Sequence, residues 1–216
     1  MMKKVISYSL WGDNPMYTVG AIKNAELAKK IYPDWTCRYY IGKSTPISVV
    51  NDLIKFDNTE IFVMNEQSNW VGLFWRFYAA SDQNVDIMIS RDTDSRLNKR
   101  EKEAVDEWLA SDKDFHIMRD HPYHATEILG GMWGVRRGLL IGMTSAIKEY
   151  TKGDFWQVDQ NFLKEKVYPA IINKALVHDE FFEKKPFPTP RVSRRFVGQA
   201  FDADDNELHP EHGDLV

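Results

Sequence analysis

Residues 85–97 read VDIMISRDTDSRL. Ile87, Met88 and Ile89 form the apolar run of a buried strand, and the chain then places Arg91, Asp92, Asp94 and Arg96 within six residues. Two carboxylates one residue apart, at the end of such a strand, are costly to leave unpaired. They need a cation, hydrogen bonds or shifted pKa values. Asn98 to Ala110 then follows the pattern of an amphipathic helix, with Ala104, Val105, Trp108 and Leu109 on one face and Lys99 to Glu103 on its other side.

Upstream the pattern alternates. Strands are predicted at Lys4–Ser9, Cys37–Ile41, Glu60–Met64 and Val85–Ser90, with a further strand at Phe115–Met118. Helices are predicted at Met16–Ile31, Ile47–Ile54 and Val71–Ser81, the last with Arg76 embedded among Phe74, Trp75, Phe77 and Tyr78. This alternation predicts an α/β fold, a single Rossmann-like domain with a mostly parallel central sheet flanked by helices. The second half is less regular: a glycine-rich run Gly130–Gly134, a helix near Val158–Val167, and a Pro- and Arg-rich stretch from Lys184 to Arg195. The domain is placed at 1–200, and the acidic, weakly patterned 201–216 is read as a tail or surface loop. In open parallel sheets ligands sit beyond the carboxyl ends of the strands. Asp92 and Asp94 fall at that edge, as does the loop Ser9–Asn14 after the first strand.

The bulk numbers narrow the function. A chain of 216 residues suits one domain, and a net charge of -4 argues against a general nucleic-acid binder. The single cysteine, Cys37, excludes an internal disulfide and fits a reducing, cytoplasmic setting. The start of the chain is too polar for a signal peptide, and no apolar run approaches the ~20 residues of a membrane span.

Closely spaced Asp oxygens are hard ligands suited to Mg²⁺ or Mn²⁺, ions that bridge to substrate phosphates. The bland alternative is an Asp-rich turn paired with Arg91 and Arg96. Phosphatases that place D-x-D after a strand usually do so near the N-terminus, followed by Thr or Val, whereas here the motif is mid-chain and Ser95 follows. A glycoside hydrolase needs carboxylates at least ~5 Å apart across a sugar, which a pair sharing one cation does not suggest. Asp202-x-Asp204-x-Asn206 starts like an EF-hand, but Glu207 replaces the turn glycine.

Taken together, these segments resemble the glycosyltransferases of GT-A fold, which use nucleotide-sugar donors. VDIMISRDTDSRL is similar to their D-x-D strand end, VISYSLWGDNPMY to their first strand and nucleotide loop, and GLFWRFYAASD to the helix before the D-x-D strand. ILGGMWGVRR and FWQVDQNFL resemble later segments that meet the sugars, and LVHDEFFEKKPF is similar to a stretch of the glycogenin-like and lipopolysaccharide galactosyltransferase-like branch. In that stretch Phe181 stands where the branch has Gly, and Lys185-Pro186 comes one position late. The run through RDTDSRL, FHIMRDHPYH and GGMWG also looks like bacterial and viral sugar-transferase domains.

The resemblance, which spans roughly residues 4–190, implies a metal-dependent hexosyltransferase-type enzyme. It would take a nucleoside diphosphate sugar, a UDP-sugar first, to a glycan or other hydroxyl acceptor with Mn²⁺ or Mg²⁺. It implies Asp92, Asp94 and His178 as metal ligands. Ser9, Leu10, Trp11 and Arg76 would contact nucleotide or diphosphate, together with Arg91, Thr93 and Lys184. Gly130, Gly131, Trp133 and His121 would meet sugar or acceptor. Asp159 would be the base that activates the acceptor hydroxyl; in a retaining enzyme Asp159 or Gln160 would support the oxocarbenium-like centre. Bland readings stand beside these: a helix N-cap for Asp159, core for Tyr8 and Trp133, a solvated loop for the basic cluster at Lys184–Arg195. That cluster is otherwise a lid over the diphosphate. Two further functions remain open, a sugar nucleotidyltransferase and a non-catalytic carbohydrate-binding module. The first would want a Gly-rich basic loop after the first strand, and SLWGDNPMY has one Gly and no basic residue.

Overall fold

The computed structural model describes residues 2–65, 69–150 and 152–216. Seven strands form one sheet: β1 Lys4–Leu10, β2 Trp35–Gly42, β3 Thr59–Met64, β4 Ile87–Ser90, β5 Phe115–Arg119, β6 Trp133–Arg136 and β7 Ala175–Asp179. The order is β3-β2-β1-β4-β6-β5-β7. All neighbours are parallel except β6, which runs antiparallel between β4 and β5.

Helices α1 (Pro15–Ile31), α2 (Ile47–Ile54) and α3 (Lys99–Ala110) follow β1, β2 and β4. Proline at the first helical position and the Asn14 side chain accepting from Met16 N at 3.0 Å start α1; Asn98 accepts from Glu101 N to start α3. The period of two along the strands sorts the core. Ile6, Tyr8, Leu10, Ile87 and Ile89 pack with α1 and α3. Val5 and Met88 face the opposite side, with Phe74, Trp75 and Phe77.

Where a helix is expected over Val71–Ser81, residues Trp70–Ser81 form a 3₁₀ helix twelve residues long. Such runs are uncommon because their hydrogen bonds are poorer. This one leans on β1: Ser7 Oγ donates to Arg76 O at 2.6 Å, and Ser9 Oγ accepts from Arg76 N at 3.0 Å and donates to Leu73 O at 3.3 Å.

The second half holds what the sequence left irregular. GGMWG continues into β6, and LVHD lies in β7. Val158–Lys174 is one helical run containing α5 (Val158–Phe162), a π-helical turn and α6 (Tyr168–Ile171). A further helix, α4, spans Met143–Glu149. Residues 201–216 pack on the body. Phe201 N donates to Asp94 O at 2.8 Å, and Asp205 takes Arg96 at 2.8 Å and Lys23 at 2.6 Å.

Candidate active site

Beyond the carboxyl ends of β1 and β4 lies a cavity of about 500 Å³. Ser9, Leu10 and Trp11 form one wall, Asp92, Thr93 and Asp94 the floor, and Arg76 with Leu73 the back. Asn14 and Tyr17 come from the start of α1, and Trp70 and Trp156 stand at the rim, 42% and 65% exposed.

Alternation decides which charges reach this cavity. Ser90 and Asp92 follow Met88 on one side, whereas Arg91 follows Ile87 and Ile89 on the other. Arg91 is sealed there, donating from Nε to Glu101 Oε1 at 3.1 Å, and Tyr32 OH donates to the same oxygen. Arg91 is thus separated from the donor pocket expected for it. Neither Arg91 nor Arg96 forms an ion pair with the acidic turn: Arg96 pairs with Asp205, binds the turn's carbonyls and opposes the Asp94 charge only from a distance.

The cation at the turn is Arg76. It is buried, donating from Nη1 to Asp92 Oδ1 and from Nη2 to Asp159 Oδ2 at 2.7 Å. Gly130 and Gly131 make this closeness possible. A Cβ on Gly131 would stand 1.9 Å from Asp92 Oδ2, and one on Gly130 2.5 Å from Asp159 Oδ2. Across the sheet, Gly20 of α1 does the same for the Thr93 carbonyl, 2.1 Å from where a Cβ would be.

Two carboxylates therefore pair with one guanidinium, and a third, Asp94, lies within its field. Burial, reinforced by the Asp92 charge and opposed by Arg76, pushes the Asp94 carboxyl up to about 7. Burial also raises Asp159, against the pull of Arg76. An acidic pair in this state binds a hard cation readily, since the cation removes the repulsion that raises the pKa. Asp92, its side chain 44% exposed, and Asp94 both line the cavity and fit a divalent metal.

Other residues named from the sequence lie elsewhere. His178 is three strands from β4, roughly 14 Å at ~4.8 Å per strand. Its Nδ1 meets His116 Nε2 at 2.8 Å and its Nε2 lies 3.3 Å from Glu107, so the ligand set carried forward is Asp92 and Asp94. Trp133 is fully buried against Phe77, with no face open to a sugar. His121 packs on Phe196, its Nε2 3.0 Å from His212 O. Lys184 sits at φ +53° in the turn after β7, outside the cavity wall. The basic stretch is not a lid on this cavity: Arg191 reaches Asp120 at 2.7 Å and Glu180. Asp120 also takes Arg100 at 3.0 Å.

Asp159 is 1% exposed and stands behind Arg76 rather than on the cavity wall. It does not cap α5; Gln157 does, at φ +73°. Gln160 is half-buried in the first turn, outside the wall. Conversely Tyr17, Asn69, Trp70, Asp154 and Trp156 line the cavity without having been singled out. The signal for Trp156 was present, an aromatic just before VDQNF.

Neither a family model nor a curated protein matches the chain. Solved structures do. The crystal structure of a glycosyltransferase involved in glycosylation of the major capsid of PBCV-1 superposes with a TM-score of 0.57 at 15% identity, covering 100% of both chains. The bifunctional glycosyltransferase WbbM gives 0.53 at 10% identity over 82% of this chain and 38% of its own. The 4-diphosphocytidyl-2C-methyl-D-erythritol synthase from Anaerococcus prevotii gives 0.51 at 10% identity over 88% and 94%. The chain thus has a GT-A-type, Rossmann-like α/β fold, shared by glycosyltransferases and by a synthase of a different kind.

Proposed function

We propose that the protein is a metal-dependent glycosyltransferase that moves a sugar from a nucleoside diphosphate donor, a UDP-sugar first, to a hydroxyl of a glycan. The observation that carries this is the excess of carboxylate over cation at the cavity floor, with the Asp94 carboxyl raised to about 7. Asp92 and Asp94 would hold Mn²⁺ or Mg²⁺, which when bound neutralises the charge of the departing diphosphate.

The chain's own residues do the rest. Trp11, half-buried against Trp75 at 5.8 Å, offers a ring face to the base. Arg76 fixes Asp92 and supplies positive charge behind the diphosphate. Asp159 holds the Arg76 guanidinium in place, which makes it a positioning residue. The exposed Trp70 and Trp156 suit an acceptor sugar, the part first given to Trp133. The lone cysteine, Cys37, is buried and unpaired, which fits the cytoplasm. Among the described residues no helix is long and apolar enough to cross a membrane.

A sugar nucleotidyltransferase is the second reading, favoured by the synthase of like fold. One assay separates the two. The protein with Mn²⁺ and a panel of nucleoside diphosphate sugars should release nucleoside diphosphate as the sugar passes to an added glycan hydroxyl or, without one, to water. Release of pyrophosphate from a nucleoside triphosphate and a sugar 1-phosphate, with no turnover of any diphosphate sugar, would overturn the proposal.

A further inference from the structure

Residues 209–212 read HPEH, and Pro210–Leu215 form a short 3₁₀ turn with proline at its first position. Side chains at i and i+3 eclipse in such a turn. His212 N donates to His209 O at 3.0 Å, and the two imidazole rings face each other with centroids 4.7 Å apart. Glu211 stands beside both. Its Oε1 is 3.4 Å from His209 Nδ1 and 3.9 Å from His212 Nε2. Two ring nitrogens and one carboxylate oxygen thus lie within 4.8 Å of one another. A tetrahedral Zn²⁺ with bonds of ~2.0–2.2 Å holds its ligand atoms roughly 3.3–3.6 Å apart. The carboxylate is near that spacing from both rings. The rings are only 20° from parallel, so the His209 ring has to turn about its Cβ–Cγ bond to aim its lone pair at a shared ion. Its side chain is 54% exposed and has room to do so.

His212 is the fixed member of the set. Its ring packs edge-on against Tyr123 at 4.9 Å and against His121 at 5.2 Å. His121 is buried, and its tautomer follows from its partners. Tyr123 N donates to His121 Nδ1 at 3.0 Å, so the proton sits on Nε2, which donates to His212 O at 3.0 Å. The histidine first expected to meet acceptor therefore braces the backbone of His212, the kind of outer support that orients metal ligands. Arg194 secures the same turn, donating to Pro210 O at 3.1 Å and pairing with Asp214 at 2.6 Å. That pairing also keeps the guanidinium occupied beside the histidines.

We propose that His209, Glu211 and His212 form a second metal site, for Zn²⁺ or an ion of similar preference, with water in the fourth position. Two imidazoles and a carboxylate suit such an ion, whereas Asp92 and Asp94 offer only oxygens and suit Mg²⁺ or Mn²⁺. None of the three residues lines the donor cavity, so the site does not depend on the function proposed for that cavity. Bound there, the ion fastens the turn Pro210–Leu215 in the conformation that seats His212 on His121.

Calorimetric titration of Zn²⁺ into the full chain carrying Asp92→Asn with Asp94→Asn tests this, because those changes take the first cavity out of the count. Saturable binding is expected, and a large excess of Mg²⁺ should not compete with it. His209→Ala and Glu211→Gln, each added to that background, should weaken it about tenfold or more. Both side chains are more than half exposed, so these variants keep the fold. A second measurement uses the wild-type chain: Zn²⁺ should shift the ring-proton resonances of His209 and His212 and leave those of the buried His116 in place. The proposal is overturned if Zn²⁺ does not bind, if neither variant weakens it, or if Mg²⁺ displaces it. It is equally overturned if the His209 and His212 resonances do not move.

Discussion

Arg76 and Arg91 are the same residue type, both buried, on opposite faces of one sheet. Arg91 meets one carboxylate, Glu101, and is closed in by Tyr32 and α3. Arg76 meets two carboxylates, Asp92 and Asp159, beside a third, Asp94, on an open cavity. A buried ion pair is thus no mark of function by itself. What distinguishes the Arg76 side is negative charge left over, next to space in which something can neutralise it.

Arg76→Met and Arg91→Met test that contrast with the largest effects. Each strands a buried carboxylate and should cost roughly 3–5 kcal/mol in denaturant unfolding. Adding Glu101→Leu to Arg91→Met should recover most of that loss, because the stranded charge goes with it. Nucleotide binding should survive in the Arg91 variants and vanish in Arg76→Met; equal loss in both would erase the distinction.

Asp159→Asn has a smaller expected effect. Asn keeps an acceptor for Arg76, so stability should fall by about 1–2 kcal/mol, with nucleotide affinity nearly unchanged and turnover lowered about tenfold. A drop in turnover of ~10²–10⁴ with affinity intact would instead make Asp159 the general base.

The alternation of β1 to β5 was legible because each strand is an apolar run bounded by turn residues. The Asp92/Asp94 edge was legible for the same reason. The separation of Arg91 from Asp92 was also present, in the period of two, but the resemblance drew both into one site. What the sequence concealed is long-range. Arg76, Asp92 and Asp159 are 16 and 83 residues apart in their two pairings. β6 was hidden because a run holding Gly130, Gly131 and Gly134 carries little strand propensity, although Gly131 is there to admit the Asp92 carboxylate. His178 shows the converse: a short motif match carried a ligand role that the sheet order moves three strands away.

The pH dependence of the metal-free protein sharpens the contrast further. The folded-state carboxyl of Asp94, at about 7, lies above its ordinary range. Its contribution to stability is therefore complete below about pH 4 and is lost as pH rises through about 7. Asp94→Asn removes that loss, so the variant should gain on the wild type by on the order of 1–3 kcal/mol between pH 4 and pH 8. Melting curves across that range check it, and Mn²⁺ at pH 8 should narrow the difference by stabilising the wild type. The smallest effect is expected at His178. His178→Ala should leave Mn²⁺-dependent nucleotide affinity unchanged within error, while its loss would restore the histidine to the ligand set.

On the function proposed above, a divalent cation carrying a diphosphate completes the surplus carboxylate at the Arg76 cavity. Calorimetric titration of UDP into the wild-type protein, with Mn²⁺ and then with chelator, tests it most directly. Saturable binding is expected with Mn²⁺, weakened by about a hundredfold or more in chelator and in Asp92→Asn with Asp94→Asn. UDP binding equally tight in chelator, or undiminished in the double variant, would contradict it.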